Sequence, residues 1–173
     1  MELNKINSLV ELFFKKYKEI SSPEKKFFLQ WLKNDKEKFL TWAQVQRDIV
    51  ILSEELIKIL NNGDRCLLLS ENRPEWLIAD IAIMNAGGVT VPLFTTYSQD
   101  DYEYIIKDCN PKICIVSNKS QYEKIKKFIS NEIIILSIEN FSERILNFQN
   151  ISGKYKKTVN SFEDYNQKIH KLF

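Results

Sequence analysis

Glycine and proline are scarce in this chain, with four of each among 173 residues, about 5% where ~12% is usual. So small a supply leaves little room for a glycine-rich loop that cradles phosphate through backbone N–H groups. Histidine is scarcer still: His170 stands alone. One histidine and three cysteines (Cys66, Cys109, Cys114) do not make a zinc site of the usual four-ligand kind. The odd thiol count and irregular spacing give no disulfide framework, and the thiols are read as reduced and semi-buried, as in the cytosol. A surplus of one charge is also missing. The 25 Lys+Arg and 23 Asp+Glu leave a net +2, which argues against a broad nucleic-acid footprint. No apolar run approaches the ~18 residues of a membrane span. The opening MELNKINSLVELFFKKYKEI has early acidic residues and no signal-peptide hydrophobic region. These absences predict a soluble, cytoplasmic protein.

What is present is globular: 44% hydrophobic and 28% charged residues suit a folded chain. The length corresponds to roughly one domain, which buries close to 70% of its unfolded surface without needing disulfides. An N-terminal helix is expected within residues 1–22, with Ile6, Leu9, Val10, Phe13 and Tyr17 at helical spacing and Lys15, Lys16 and Lys18 near its end. Ser8 and Glu11 stand in capping-box register, and the lysines suit the negative end of the helix dipole. Two roles fit this helix: docking on its own domain, which is favoured, or lying on a membrane surface as basic helices with aromatics do. Residues 26–42 are rich in strand-favouring Phe27, Phe28, Trp31, Phe39 and Trp42, and the turn-like Asn34-Asp35-Lys36-Glu37 divides them into a β-hairpin.

Thr41, with Gln44 three residues on, opens a long helix whose stripe is Val45, Ile49, Leu52, Leu56 and Ile59 and whose stop is Asn61-Asn62-Gly63. Then strand and helix alternate. Cys66–Ser70 is a short apolar run, as expected of a strand covered on both faces. Asn72 and Pro74 open a helix that is apolar almost all round from Trp76 to Met84, so it must be enclosed. Gly87-Gly88 ends it. Val89–Leu93 is a strand, Ser98 and Asp101 cap a helix closed by Asn110-Pro111, Lys112–Ser117 is a strand, Ser120–Ile129 a helix and Ile133–Ile138 a strand. The fold class is therefore α/β: a mostly parallel, doubly wound sheet with flanking helices and an N-terminal β-hairpin. Residues 26–138 carry hairpin and α/β core. Residues 139–160 are polar and read as a loop, and 161–173, capped by Ser161 and Asp164, read as a terminal amphipathic helix (Phe162, Tyr165, Ile169, Leu172).

Candidate chemistry is thin. There is no Gly-x-Gly-x-x-Gly and no Gly-x-x-x-x-Gly-Lys-Ser/Thr. Gly87-Gly88 follows a helix, where carbonyls point outward and repel anions, so a turn explains it better than phosphate binding. His170 lies among lysines on the terminal helix and reads as solvent-exposed. No Gly-x-Ser-x-Gly elbow exists. Asp100, Asp101 and Glu103 sit in or just past a first helical turn, where the dipole accounts for them. Asp80, a lone charge in an apolar helix, is expected to pair with Arg65 or Arg73 rather than act in catalysis. The most distinctive run is Glu71-Asn72-Arg73-Pro74-Glu75-Trp76, at the carboxyl end of a strand, where open α/β sheets place ligands. Arg73 could face an anion there. The favoured reading is structural: Asn72 caps, Pro74 starts the helix, and Arg73 pairs with Glu75 or Asp80. No catalytic, cofactor-binding or metal-binding residue is assigned.

One ordered series carries a resemblance: Leu40-Thr41-Trp42, Gly63-Asp64-Arg65, Ser70 through Trp76, then Asp80 through Ala86-Gly87-Gly88-Val89-Thr90-Val91-Pro92-Leu93 and Thr95-Thr96-Tyr97-Ser98. It resembles the N-terminal part of AMP-binding, adenylate-forming enzymes, most of all long-chain fatty acid–CoA ligases, over roughly residues 5–138. The resemblance implies the incomplete first subdomain of the adenylate-forming synthetase fold, with the whole chain, 1–173, a partial AMP-binding domain. It implies two-step ligation in a complete enzyme. A fatty carboxylate attacks the α-phosphate of Mg-ATP, and the thiol of coenzyme A then displaces AMP from the acyl-adenylate. Fatty acid, ATP, Mg2+ and coenzyme A would serve the complete enzyme, and no cofactor is expected for this chain alone. The Ser/Thr/Gly-rich loop ending in Pro-Lys-Gly that the family uses is not found in the 173 residues, and the nearest Gly-Lys is Gly153-Lys154. The matching motifs are scaffold motifs. The expectation is a chain that stops short of the phosphate loop and is inactive unless associated with a C-terminal portion. The alternative is a non-catalytic docking module derived from the same subdomain.

Overall fold

A computed structural model describes residues 6–142 and 146–148. Helix α1 (Leu9–Glu19) starts at Ser8, whose hydroxyl accepts from the Glu11 amide, while the Glu11 carboxylate reaches one residue beyond the cap to the Asn7 amide at 2.8 Å. Its Val10 and Phe13 are buried. Strands β1 (Phe27–Lys33) and β2 (Lys36–Thr41) pair antiparallel as the predicted hairpin. The turn is tighter than the four-residue insert expected: Asn34 and Asp35 alone bridge it, with φ of 51° and 57°. Two consecutive left-handed residues match the twist of the flanking strands. Phe13 stacks on Trp42 and meets Phe28 edge-on, so α1 docks on the hairpin's end.

Helix α2 (Trp42–Ile57) begins with a full capping box between Thr41 and Gln44. It buries Val45, Ile49, Leu52 and Leu56 of the predicted stripe and also Gln46, Ile51 and Ser53, because α1, the hairpin and α3 (Pro74–Asn85) all pack on it. The helix ends at Ile57, so Ile59, expected in the stripe, falls in the turn beyond it and is only partly buried. The Ser53 hydroxyl is satisfied by the Ile49 carbonyl at 2.7 Å. Helix α3 is enclosed, as its all-round apolar sequence requires. Its cap position, however, is Arg73, and no side chain caps it. Asn72 therefore does not serve as the expected cap; Pro74, with no N–H to satisfy, removes much of the need for one.

Strands β3 (Arg65–Leu69), β4 (Val89–Leu93), β5 (Ile113–Val116), β6 (Ile134–Ser137) and β7 (Leu146–Asn147) form one parallel sheet in the order β4-β3-β5-β6-β7. Strand β7 lies inside the stretch expected to be loop; its two residues are too few for a periodic signal. Side chains alternate between two cores. Cys66, Leu68, Ile113, Ile115 and Leu136 meet α1, α2, α3 and the hairpin. Leu67, Leu69, Leu93, Cys114 and Val116 meet α4 (Gln99–Cys109) and α5 (Lys119–Ile125). The sheet is thus wound on both faces, as expected. The Ser98–Asp101 capping box and the left-handed Asn110 stop are also present in α4. Helix α5 is capped by Asn118 and gives way to a 3₁₀ turn over Lys126–Phe128. The helix expected over 161–173, His170 and Gly153-Lys154 lie outside the described residues.

Candidate functional site

In a parallel sheet every strand delivers its following loop to the same edge. The chain runs outward from β3 to β4 and then returns to β5 on the other side of β3. That reversal opens a crevice at the carboxyl ends of β3 and β5, the usual ligand position of open α/β sheets. At this edge stand Ser70 and Glu71, just after β3, and Ser117, Asn118 and Gln121, at the passage from β5 into α5. Glu71 Oε1 accepts from Gln121 Nε2 at 2.7 Å and from Asn118 Nδ2 at 3.4 Å. Burial works to raise the Glu71 pKa. The neighbouring Ser117 hydroxyl, the backbone amide, Gln121 and Asn118 outweigh it and hold the carboxyl below its ordinary range. An ionised carboxylate in the mouth of the crevice opposes a polyphosphate.

Arg73 stands beside it. Its Nε donates to Glu75 Oε2 at 2.8 Å and its Nη1 to Glu139 Oε1 at 2.8 Å. Burial favours the neutral guanidine, yet the two carboxylates hold the pKa above its ordinary value. The predicted Arg73–Glu75 pair is present. The second partner is Glu139, from the end of β6, and Asp80 makes no ion pair with any described residue. Arg73 is occupied on two sides and is not poised for an anion.

Between the hairpin, α2 and the start of α3 lies a half-open cleft of about 280 Å³. Trp31, Leu40, Ile78 and Phe148 give it apolar walls, and Asp48 and Glu75 its acidic rim. Asp48 is paired with Arg47 at 2.9 Å and Glu75 with Arg73, so the rim is largely neutralised.

The remaining candidates are structural. Asp101 caps α4 through Ser98, and Glu103 pairs with Lys107. Gly87 takes φ +81° and its carbonyl accepts from the Gly63 amide at 2.8 Å, at the amino end of β4 and so at the sheet edge opposite the crevice. All three cysteines are buried. Burial pushes the Cys66 thiol up to about 12 and also raises Cys109 and Cys114, which leaves them as unreactive thiols. Among the described residues no group of three or more His, Cys, Asp or Glu is placed to hold a metal, and no helix is long and apolar enough to cross a membrane. At this edge of the sheet the Glu71 carboxylate is ionised and the nearby Arg73 is already paired with Glu75 and Glu139. Sequence reasoning missed Ser117, Gln121 and Glu139. Only the single helical turn between the Asn118 cap and Gln121 hinted at their grouping.

The model of the AMP-binding enzyme family matches residues 19–166. The chain belongs to this family. Among curated AMP-binding relatives, long-chain-fatty-acid–CoA ligase ACSBG2 of Gallus gallus is 41% identical over 54 residues, 31% of this chain and 7% of the relative. Long-chain-fatty-acid–CoA ligase ACSBG1 of Homo sapiens is 27% identical over 100 residues, 57% of this chain and 14% of the relative. The matched part is thus a small fraction of those ligases. Among solved structures, the luciferase-like enzyme of the nonluminescent Zophobas morio mealworm superposes with a TM-score of 0.73 at 19% identity, covering 88% of this chain and 35% of that one. The anthranilate CoA ligase AuaEII in complex with anthranoyl-AMP gives 0.71 at 21%, covering 89% and 30%. At such identities these two speak for the fold alone.

Proposed function

We propose that residues 1–173 are the N-terminal scaffold of an ATP-dependent long-chain fatty acid–CoA ligase. In this reading the α1 segment (1–22) and the hairpin with its α/β core (26–138) build the first subdomain, and the chain by itself neither holds ATP nor forms acyl-adenylate. The observation that carries the reading is the kind of motif matched. The matching runs shape the scaffold, since Thr41 caps α2, Gly87 turns the chain between α3 and β4, and Ser98 caps α4. The names of the curated relatives, long-chain-fatty-acid–CoA ligases among them, support the acyl class. Transition-state charge in phosphoryl chemistry must be met by fixed cationic groups or metal, and the crevice offers Glu71 instead.

The test is pyrophosphate release by the purified 173-residue chain given a long-chain fatty acid, Mg-ATP and coenzyme A. No release above the blank is expected, with activity returning when the chain is joined to a downstream portion bearing the Ser/Thr/Gly-rich loop. Fatty-acid-dependent release by the chain alone overturns the inactive half of the reading. A downstream reading frame without that loop overturns the ligase half.

A further inference from the structure

The β1–β2 hairpin has two unlike faces. Phe28, Leu29 and Leu40 turn inward and pack against the core that α1 and α2 share. Cross-strand partners lie on the same face, so Phe39 stands with Gln30 on the other side, followed by Leu32 with Glu37. A register shift at Phe28 brings Phe27 round to that side, where its ring stacks on Phe39 at 4.5 Å. Phe27 is 62% and Leu32 72% exposed, and neither core includes Phe27, Leu32 or Phe39. Large apolar side chains grouped on one exposed face, unlike scattered ones, mark a contact surface.

The charge around this face has one sign. Residues 15–38 contain eight lysines against Glu19, Glu24, Asp35 and Glu37, a net +4, while the rest of the chain sums to −2. Lys25 and Lys26 precede Phe27 at one end of the face, and Lys33 and Lys36 form the last rung at the other, directly opposite each other. All four are exposed, and none makes an ion pair with a described residue. Like charges directly opposite each other are unfavourable, so the Lys33–Lys36 rung calls for an anionic surface. An acidic chain or a nucleic acid would use the lysines and leave Phe27 and Leu32 in water; an uncharged protein face would do the reverse. A bilayer with anionic headgroups uses both, since apolar side chains enter its acyl boundary while lysine stems carry their ammonium groups to the headgroups. The membrane role weighed for α1 does not fit that helix, because its Val10 and Phe13 are buried in the core. We propose that the outer face of the hairpin docks on an anionic lipid bilayer, with Phe27, Leu32 and Phe39 entering the interface between the two pairs of lysines. This goes beyond the ligase reading and does not depend on it.

The test is sedimentation of the full chain with vesicles of phosphatidylcholine alone and of phosphatidylcholine mixed with phosphatidylserine, at low and high salt. Binding to the mixed vesicles at low salt is expected, with loss on the neutral vesicles and loss at high salt. Two variants divide the surface: Phe27→Ser with Leu32→Ser removes the apolar part, and Lys33→Gln with Lys36→Gln the charged rung. Each should release the chain from the mixed vesicles while its circular dichroism stays that of the unaltered protein. Should the first variant not fold, Leu32→Ser alone replaces it, since that side chain makes no part of either core. Binding that survives the serine substitutions, or that is equal on neutral vesicles, overturns the proposal, as does no binding at all. A concentration-dependent dimer that Leu32→Ser abolishes would give the face to a second copy of the chain and overturn it as well.

Discussion

Gly87 and Gly63 both hold left-handed backbone, with φ of +81° and +87°, but their surroundings differ. A Cβ on Gly87 would stand 2.7 Å from Asn62 Oδ1, whereas one on Gly63 meets nothing within 4 Å. Gly63→Ala should therefore cost only the backbone penalty, ~1–2 kcal/mol, and Gly87→Ala more than that; urea unfolding of the two variants compares them directly. Equal losses would mean that Asn62 simply moves away. Glu71 gives a second expectation at this scale. Its carboxyl sits below the ordinary value of 4.5 in the folded chain, so the fold favours the charged form. The stability it contributes is present above that value and fades as pH falls through the lowered folded value. The stability gap between the natural chain and Glu71→Gln should accordingly be widest near neutrality and shrink below about pH 4.5, as measured by denaturant unfolding across pH. A gap that widens on acidification would reverse the sign assigned here.

Elements in this protein start and stop where short side chains dictate. Thr41 and Gln44 complete a reciprocal cap on α2, at 3.2 and 2.8 Å, and Thr41→Ala should cost ~1 kcal/mol in thermal or urea unfolding. An unchanged midpoint would show that the packing of Trp42 holds the helix start without the hydroxyl. Caps of this kind are local, so Thr41, Ser98 and Asn110 are legible along the chain, as is the hairpin. The start of α3 is the exception: Asn72 has the right chemistry for a cap, yet the helix begins one residue later, behind Arg73, with Pro74 at its first turn. Strand β7 was not legible because two residues cannot display alternation. Asp80 was expected to find an arginine, but Arg73 turns to Glu75 and Glu139 instead. Partner choice among charges depends on which loops the sheet brings together.

Across the whole molecule, stability rests on two cores divided by one sheet. Leu68 on the interior strand β3 is fully buried, whereas Leu32 near the hairpin tip is 72% exposed. Leu68→Ala should cost ~2–5 kcal/mol, enough to threaten the fold, while Leu32→Ala should stay within ~0.5 kcal/mol; chemical denaturation separates the two. Comparable losses would mean that the hairpin tip is covered in solution. The order β4-β3-β5-β6-β7 belongs to this scale, and so does the crevice it creates.

By itself, the amino-acid sequence determined the alternation of strands and helices, most of their caps, the enclosure of α3 and the family resemblance. All of these follow from neighbours within a few residues or from runs of apolar side chains. Only the tertiary structure decided what gathers at the carboxyl edge. Gln121 meets Glu71 across 50 residues of chain and Glu139 meets Arg73 across 66. No local preference encodes such pairs; the order in which parallel strands align brings their loops to a common edge, and only there do these charges and amides find one another.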